Sequence, residues 1–305
     1  MGRAELYDCI VIGAGPGGLV SAIYLQRFRR KVLLVDGGEA RVQRVPRIRN
    51  LVGYPGGISG STLLRRLHRQ LRNYGGQTLK GRARVSQAGR TFDVDVDGRI
   101  LRARKIILAT GMKDLEPNLD NLRNLTQKGL VGYCPVCDAF DHRDQRIALL
   151  VSDNHGLKKL SFMSGYSDKL IAVLMKEFKI SSARARDLQK RQVQIVQGPL
   201  LRVTEAPSGK GVQLHVPQGP AVSVDVAYVM MGTQVPRDAI GNLPRPRRCR
   251  EGFLVVGAHQ ETSVPGLFAV GDCVGGLSQV SVAVGQAAIA ATQVHNSLIS
   301  ARCGV

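Results

Sequence analysis

The chain has 305 residues, 44% hydrophobic and 5% aromatic, with 43 Lys and Arg against 23 Asp and Glu for a formal net charge of +20. That length and composition describe a globular protein with room for two packed domains and exclude a disordered chain, and no run reaches the roughly 18 apolar residues of a membrane span. The positive excess suits acidic partners or an anionic membrane surface, with a merely basic solvated exterior as the alternative. The arginines, however, fall in separate groups (41–49, 65–72, 82–104 and 245–250) without interleaved aromatics and without Trp, which argues against nucleic acid. No charged leader or apolar signal stretch precedes the first strand, so a cytoplasmic location, at most peripheral to a membrane, is expected. Six cysteines are too few for a disulfide scaffold and leave room for one cycling dithiol.

Residues 7–12 are an apolar run of strand length, followed by Gly13-Ala14-Gly15-Pro16-Gly17-Gly18 and an amphipathic stretch, 19–28, that predicts a helix. A second strand is expected over 31–35, ending on Asp36 and Gly37. Strand, glycine turn, helix, strand and acid form a complete dinucleotide-binding unit; a ligand-free glycine turn is the alternative. Gly13 makes the turn, Gly15 lets backbone approach a pyrophosphate at the helix N-terminus, Gly18 permits close helix packing, and Asp36 would accept from ribose hydroxyls. Residues 41–60, rich in Arg, Pro and Gly, are expected to loop over the cofactor. Gly37, Arg41, Asn50 and Val85 join the turn as candidate cofactor contacts. A helix over 61–74, capped by Ser61, puts Leu63, Leu64, Leu67 and Leu71 on one face. Val85 and the alternating Phe92, Val94 and Val96 predict a small antiparallel layer turned at Asp97-Gly98. The strand 100–108 then runs into Ala109-Thr110-Gly111, small residues that let the chain pass close to a dinucleotide.

The polar connection 112–130 marks a change of domain, and Cys134-Pro135-Val136-Cys137-Asp138 follows it. Two cysteines with two residues between them hold their sulfurs within bonding reach and favour a thiolate on one of them, the form that exchanges. Half a zinc site, a structural disulfide and two idle cysteines are the other readings, but no second CxxC or HxxxH completes a zinc site and no metal is expected. Strands are predicted at 145–151 and 165–175, joined through Ser152-Asp153-Asn154-His155-Gly156 and a helix from residue 157. This second strand, turn, helix, strand unit lacks the glycines. Further strands are expected over 193–197, 212–216 and 222–231, with a return hinge at 234–236 and 244–250. Strands at 253–256 and 267–270 lead to Gly271-Asp272 and a closing helix, 281–298. Asp272, at a strand's carboxyl end facing a helix start, suits a ribityl or ribose hydroxyl, or caps that helix. Cys9 and Cys273 are expected to be packed; Cys249 and Cys303 have no assigned place.

The glycine turn 13–18, Ala109-Thr110-Gly111, the cysteine pair with Asp138, and Gly271-Asp272 followed by Gly285-Gln286-Ala287 resemble, in order and along the whole chain, the low-molecular-weight thioredoxin reductases. The resemblance implies an α/β, two-domain fold in a homodimer. The FAD-binding Rossmann-type domain would comprise 1–111 and 237–305, with an inserted NADPH-domain-like domain, 112–236, carrying the CxxC. It also implies roles: Cys137 nearer the flavin, Cys134 exchanging with a protein disulfide or small thiol, Asp138 donating a proton, and the Gln286 and Ala287 backbone at the flavin's pyrimidine edge. The second turn departs from the pattern. Val151 is branched where the turn should be open, and Asp153 brings a charge that, 4 Å from a phosphate, repels it by about 4 kcal/mol at a near-surface dielectric. The basic cluster for a 2′-phosphate is replaced by Met175-Lys176-Glu177-Phe178-Lys179, so NADPH use is not expected.

Two relatives lack that site. The run from Gly276 to Ala291, with Gly285 where NADPH enzymes carry arginine, resembles the diflavin-linked disulfide oxidoreductases of oxygenic photosynthetic bacteria, with a second FAD per subunit. The basic charge suits the ferredoxin-dependent flavin thioredoxin reductases. A flavin-binding interaction protein with an inert dithiol is the reading from another class.

Overall fold

The computed structural model describes residues 5–217 and 219–303; the outermost parts of the expected FAD-domain ranges, 1–4 and 304–305, lie outside them. The chain divides into two compact units. The first comprises Met1–Gln43, Ser59–Lys113 and Gln234–Val305; the second comprises Arg44–Ile58 and Asp114–Thr233.

The first unit is built on a seven-stranded sheet. Its parallel centre is β1 (Leu6–Ile12), flanked by β2 (Val32–Asp36) and by β6 (Arg99–Leu108). These strands are aliphatic on both faces because both faces are covered. Cys9 and Val11 point into a cluster with Leu19, Ala22, Ala290 and Val294 from the helices α1 (Pro16–Arg27) and Val280–Cys303. Ile10 and Ile12 point the other way, into a cluster with Val85, Phe92, Val94 and Leu101. The strand Thr91–Val96 adds antiparallel to β6, and Ala83–Ala88 adds antiparallel to Thr91–Val96. The Asp97-Gly98 turn is found: φ is +48° and +90° at its two residues, the mirror-image turn that matches strand twist. Leu267–Ala269 pairs parallel with Ile106–Leu108, the end of β6 that Thr91–Val96 leaves free.

Several boundaries differ from the sequence reading. The helix α2 (Gly60–Asn73) is capped by Ser59, whose side chain accepts from the Thr62 N–H at 3.2 Å, and not by Ser61. The apolar run 253–256 is not a strand. Leu254 makes single bridges to Arg248 and Val274, and it is Leu267–Ala269 that pairs with β6. The closing helix runs to Cys303, well past 298. The chain re-enters the first unit at Gln234, and residues 244–250 lie within that unit.

The second unit holds an all-parallel five-stranded sheet in the order Gln194–Gln197, Leu170–Leu174, Ile147–Val151, Val226–Met230, Val131–Gly132. The strand expected over 222–231 is two strands. Asp225 accepts from the Arg146 N–H at 2.7 Å, and the chain turns there. Val222–Val224 therefore joins a separate antiparallel sheet with Val212–His215 and Arg202–Glu205. The helix Leu122–Gln127 lies in the stretch read as a polar connection, and the helix Ser182–Lys190 lies where no element was expected.

Candidate active site

The cysteine pair sits in the second unit, where Val131–Gly132 delivers the chain into a short helix, Pro135–Asp138. Proline in the first turn presets its own φ and has no N–H to leave unpaired. The Cys137 N–H donates to the Cys134 carbonyl at 2.9 Å, the two Cα atoms are 5.4 Å apart, and the sulfurs are joined in a disulfide. Cys9 and Cys273 are fully buried, as expected, and burial pushes both thiols up, away from the thiolate that would make them reactive. Val136, between the two cysteines, and Phe140, just beyond, are exposed.

Asp138 closes the short helix. Its Oδ1 accepts from the Tyr228 hydroxyl at 2.7 Å. Burial holds the Asp138 carboxyl above its ordinary range, opposed by that hydrogen bond and by nearby His142. Tyr228 lies on Val226–Met230, directly opposite Gly132 in the parallel pairing. A Cβ at 132 would stand 2.7 Å from the Tyr228 Cε1, so only glycine admits the ring there. The loop 44–58 belongs to this unit. The Asn50 Nδ2 donates to the Val136 carbonyl at 3.3 Å, and Arg49 pairs with Asp141 at 3.1 Å.

The second strand, turn, helix, strand unit is present, and its turn is closed on itself. The helix Asn154–Met163 starts earlier than residue 157 and is capped by Asp153, whose Oδ1 accepts from the Gly156 N–H at 2.8 Å. Asn154 donates from Nδ2 to the Lys179 carbonyl and accepts at Oδ1 from the Ser181 N–H. The Ser152 hydroxyl donates to the Met231 carbonyl. Val151 does not stand in the turn: it ends its strand, and its side chain packs with Leu157 and Leu160 in the core.

In the first unit the glycine turn has three distinct environments. A Cβ at Gly13 would lie 2.2 Å from the Ala109 carbonyl oxygen, and one at Gly18 would lie 1.8 Å from that of Gly13. Gly15, the helix N-cap, has nothing within 4 Å of a Cβ. The α1 N-terminus has no side-chain cap, so its first N–H groups and positive dipole end face that open space, an arrangement fitted to a pyrophosphate. Asp36 ends β2 with Oδ1 accepting from the Gly38 N–H at 2.8 Å. Asp272 pairs with Arg41 at 3.3 Å, and the Gln286 Oε1 accepts from the Gly271 N–H at 2.7 Å. Gly111, at φ +66°, also has open space beside it. An open cradle edged by backbone N–H groups, with acids at two strand ends, fits an adenine dinucleotide such as FAD.

Residues 7–287 match the family model for pyridine nucleotide-disulphide oxidoreductases. The chain belongs to that family. It is 27% identical over 287 residues to a thioredoxin reductase of Aquifex aeolicus (strain VF5), covering 88% of this chain and 85% of that protein. It is similar to the crystal structure of HlmI, with a TM-score of 0.86 and 25% identity over 98% of each chain. It also shares the fold of the thioredoxin reductase from Streptococcus pyogenes MGAS5005, with a TM-score of 0.86 and 24% identity over 98% of this chain and 100% of that one. The protein is a thioredoxin reductase-like, FAD-dependent disulfide oxidoreductase of mixed α/β fold. No helix among the described residues is long and apolar enough to cross a membrane.

Of the residues singled out from the sequence, 13–18, Asp36, Gly37, Arg41, Ala109-Thr110-Gly111, Gly271-Asp272 and Gln286-Ala287 all lie in the first unit, whereas Asn50 lies with the cysteines in the second. Val85 is fully buried, its N–H donated to Ala239 and its carbonyl accepting from Gly241. Sequence reasoning missed Tyr228 and Gly132. A lone hydroxyl in the aliphatic run Val226–Met230 was the available signal, since a buried tyrosine must find a partner.

Proposed function

We propose that this enzyme exchanges electrons between the Cys134–Cys137 pair and FAD without using NADPH, a second FAD per subunit serving where a nicotinamide serves in other members. The observation that carries the first part is the Asp153 cap. The helix N-terminus that would receive a nucleotide pyrophosphate already holds a carboxylate at 2.8 Å. An incoming phosphate would have to displace that cap, worth about 1 kcal/mol, and withstand repulsion of about 4 kcal/mol at 4 Å. Together these weaken binding by more than a thousandfold. Asn154, tied to Lys179 and Ser181, holds the next part of the turn shut. Room beside Gly285, where a Cβ has nothing within 4 Å, is compatible with the second flavin.

In this reading the FAD-binding domain is 1–111 with 237–305, and 112–236 is the inserted domain. Residues 13–18 receive the pyrophosphate, and Asp36 and Gly37 the adenosine end. Arg41, Ala109-Thr110-Gly111, Gly271-Asp272 and the Gln286-Ala287 backbone line the remainder, with Asn50 as a further contact; Val85, buried with both backbone groups bonded, supports the layer beneath. FAD, when bound, supplies the two-electron couple with which the cysteine pair exchanges. The chain's own residues perform the thiol chemistry. A partner thiolate attacks Cys134, forming a mixed disulfide and breaking the Cys134–Cys137 bond. The Cys137 sulfur leaves with the electron pair and takes a proton from Asp138. The partner's second thiolate then attacks the mixed disulfide, releasing the oxidised partner and Cys134.

The thioredoxin reductases among the relatives make a thioredoxin-type dithiol the first candidate partner, met by a homodimer in the cytoplasm. Exposed Val136 and Phe140 offer it apolar contact. A ferredoxin-fed reductase is the second reading, favoured by one feature: no Asp or Glu occurs between Glu39 and Asp93, while Arg65, Arg66, Arg69 and Arg72 are exposed along α2. The same face would suit an anionic membrane surface.

Anaerobic addition of NADPH, reduced ferredoxin and dithiothreitol in turn to the purified holoprotein, following the flavin band, tests these readings. Bleaching by the dithiol and none by NADPH is expected; stoichiometric bleaching by NADPH refutes the proposal. Bleaching by ferredoxin selects the second reading. A flavin-to-protein ratio of one that added FAD cannot raise removes the second flavin.

A further inference from the structure

We propose that Tyr228 is a positioning residue for this chemistry: its hydroxyl holds the Asp138 carboxyl so that the proton for the cysteine pair sits on the oxygen Tyr228 does not touch. The proposal rests on the reading of Asp138 as proton donor and assigns the residue that makes that carboxyl usable.

The geometry is built on both sides. Tyr228 has no exposed surface, and every neighbour on its strand is apolar, Val226, Ala227, Val229 and Met230. A hydroxyl there is costly unless partnered, and its hydrogen bond to the Asp138 Oδ1 is 2.7 Å, a full-strength O–H···O contact. From the other side, glycine at position 132 lets the ring lie against the strand that leads into Cys134, where a Cβ would come within 2.7 Å of Cε1. The ring is thus clamped 90 residues away in sequence from the carboxyl it serves.

The surrounding charges are accounted for. His142 stands edge-on to the Tyr228 ring, with centroids 6.2 Å apart, and its Nδ1 lies 2.8 Å from the Gln145 Oε1. Asp141 is paired with Arg49. Burial and the adjacent Asp138 push the Tyr228 phenol up, so it keeps its proton, which it donates to the Asp138 Oδ1.

The step balances as follows. When a partner thiolate opens the disulfide, the departing sulfur carries the electron pair and takes the proton from Asp138. The carboxylate left behind keeps its bond from Tyr228 at Oδ1. The reverse reaction returns the proton to Oδ2. Tyr228 neither gains nor loses a proton; it fixes the carboxyl's rotation and stabilises its ionised form.

The test uses the holoprotein and three variants, Tyr228→Phe, Asp138→Asn and the double variant. The readout is the rate at which dithiothreitol, under anaerobic conditions, converts the disulfide into two alkylatable thiols, from pH 5 to 9. Rates are normalised to dithiothreitol thiolate, with flavin bleaching followed in parallel. Tyr228→Phe keeps the ring and is expected to unfold within a few degrees of the parent. It should slow disulfide opening about tenfold at neutral pH, a fraction of what a positioned general acid supplies. It should also move the limb assigned to Asp138 to higher pH, and add nothing in the Asp138→Asn background. Replacement of tyrosine by 3-fluorotyrosine, a stronger donor of nearly the same shape, should move the limb the other way. If Asp138→Asn abolishes the limb but Tyr228→Phe leaves rate and limb unchanged, Tyr228 is merely packed and the proposal is overturned. If Asp138→Asn itself retains both, the proton-donor reading fails first and the role of Tyr228 falls with it.

Discussion

Two glycines three residues apart separate what the turn does for the fold from what it does for a ligand. In Gly18→Ala the new methyl carbon would lie 1.8 Å from the Gly13 carbonyl oxygen, where ordinary contact begins at 3.4 Å. The obstacle is backbone, so α1 and β1 must separate by roughly 1.5 Å in an interior packed as densely as a crystal. Leu19, Ala22, Ile23 and Leu25 anchor the helix on the sheet and resist that movement. A cost of about 1–3 kcal/mol or more is expected, read as a fall of several degrees in the melting midpoint of the apoprotein. Gly15→Ala meets nothing: φ is −72° and ψ 179°, a conformation any residue adopts, and a Cβ has no atom within 4 Å. The apoprotein should be unchanged, or more stable by about 0.4–1 kcal/mol through a stiffer unfolded chain. Its methyl fills the space assigned to the pyrophosphate, so FAD affinity should drop at least tenfold, or about 1.4 kcal/mol. Circular dichroism melting of apoprotein and fluorescence titration with FAD measure the two effects separately. Parental FAD affinity in Gly15→Ala would show that the flavin phosphates do not lie against this turn. An unchanged apoprotein midpoint in Gly18→Ala would refute the steric argument.

Asp153→Ala removes the helix cap and should cost about 1 kcal/mol in a urea titration. It should also strengthen NADPH binding, since the cap and its charge are gone, while Ser152 and Asn154 remain bonded as before and keep flavin reduction by NADPH slow; an unchanged NADPH affinity would show that the carboxylate is not the block. Gly132→Ala drives a methyl into the Tyr228 ring, which has no free end to swing aside, and should lower the melting midpoint; an unaltered midpoint means that ring and strand are not in register. Burial raises the Asp138 carboxyl, so the native state binds that proton more tightly than the unfolded chain does. The associated stability is full below the unfolded value of about 3.9 and declines as pH rises through the native one. Asp138→Asn, which cannot ionise, should therefore gain stability relative to the parent between pH 3 and pH 8, measured by urea midpoints; a constant difference across that range contradicts a buried, raised carboxyl.

Much of the first unit was legible because its signals are local. The glycines at 13, 15 and 18 are fixed by distances within a few residues, and the apolar runs of β1 and β2 by burial on both faces. The cysteine pair was legible for the same reason, its two Cα atoms lying 5.4 Å apart across one turn. The reading failed where pairing partners decide. The run 253–256 has a strand's composition but finds only single bridges at Leu254, and 222–231 is divided between two sheets at Asp225. The charge at Asp153 was visible in the sequence, but not that its carboxylate is turned back onto the Gly156 N–H.

By itself, then, the sequence determined where backbone must come close and which atoms can exchange electrons, since both follow from side chains being absent or adjacent. The tertiary structure decided which carboxylates are available to other groups and which are already used. Asp138 meets Tyr228 only because Val131–Gly132 lies beside Val226–Met230, while Asp153 is consumed within its own turn. A carboxylate's role depends on which donors and how much water surround it, and those are set by contacts between segments far apart in the chain.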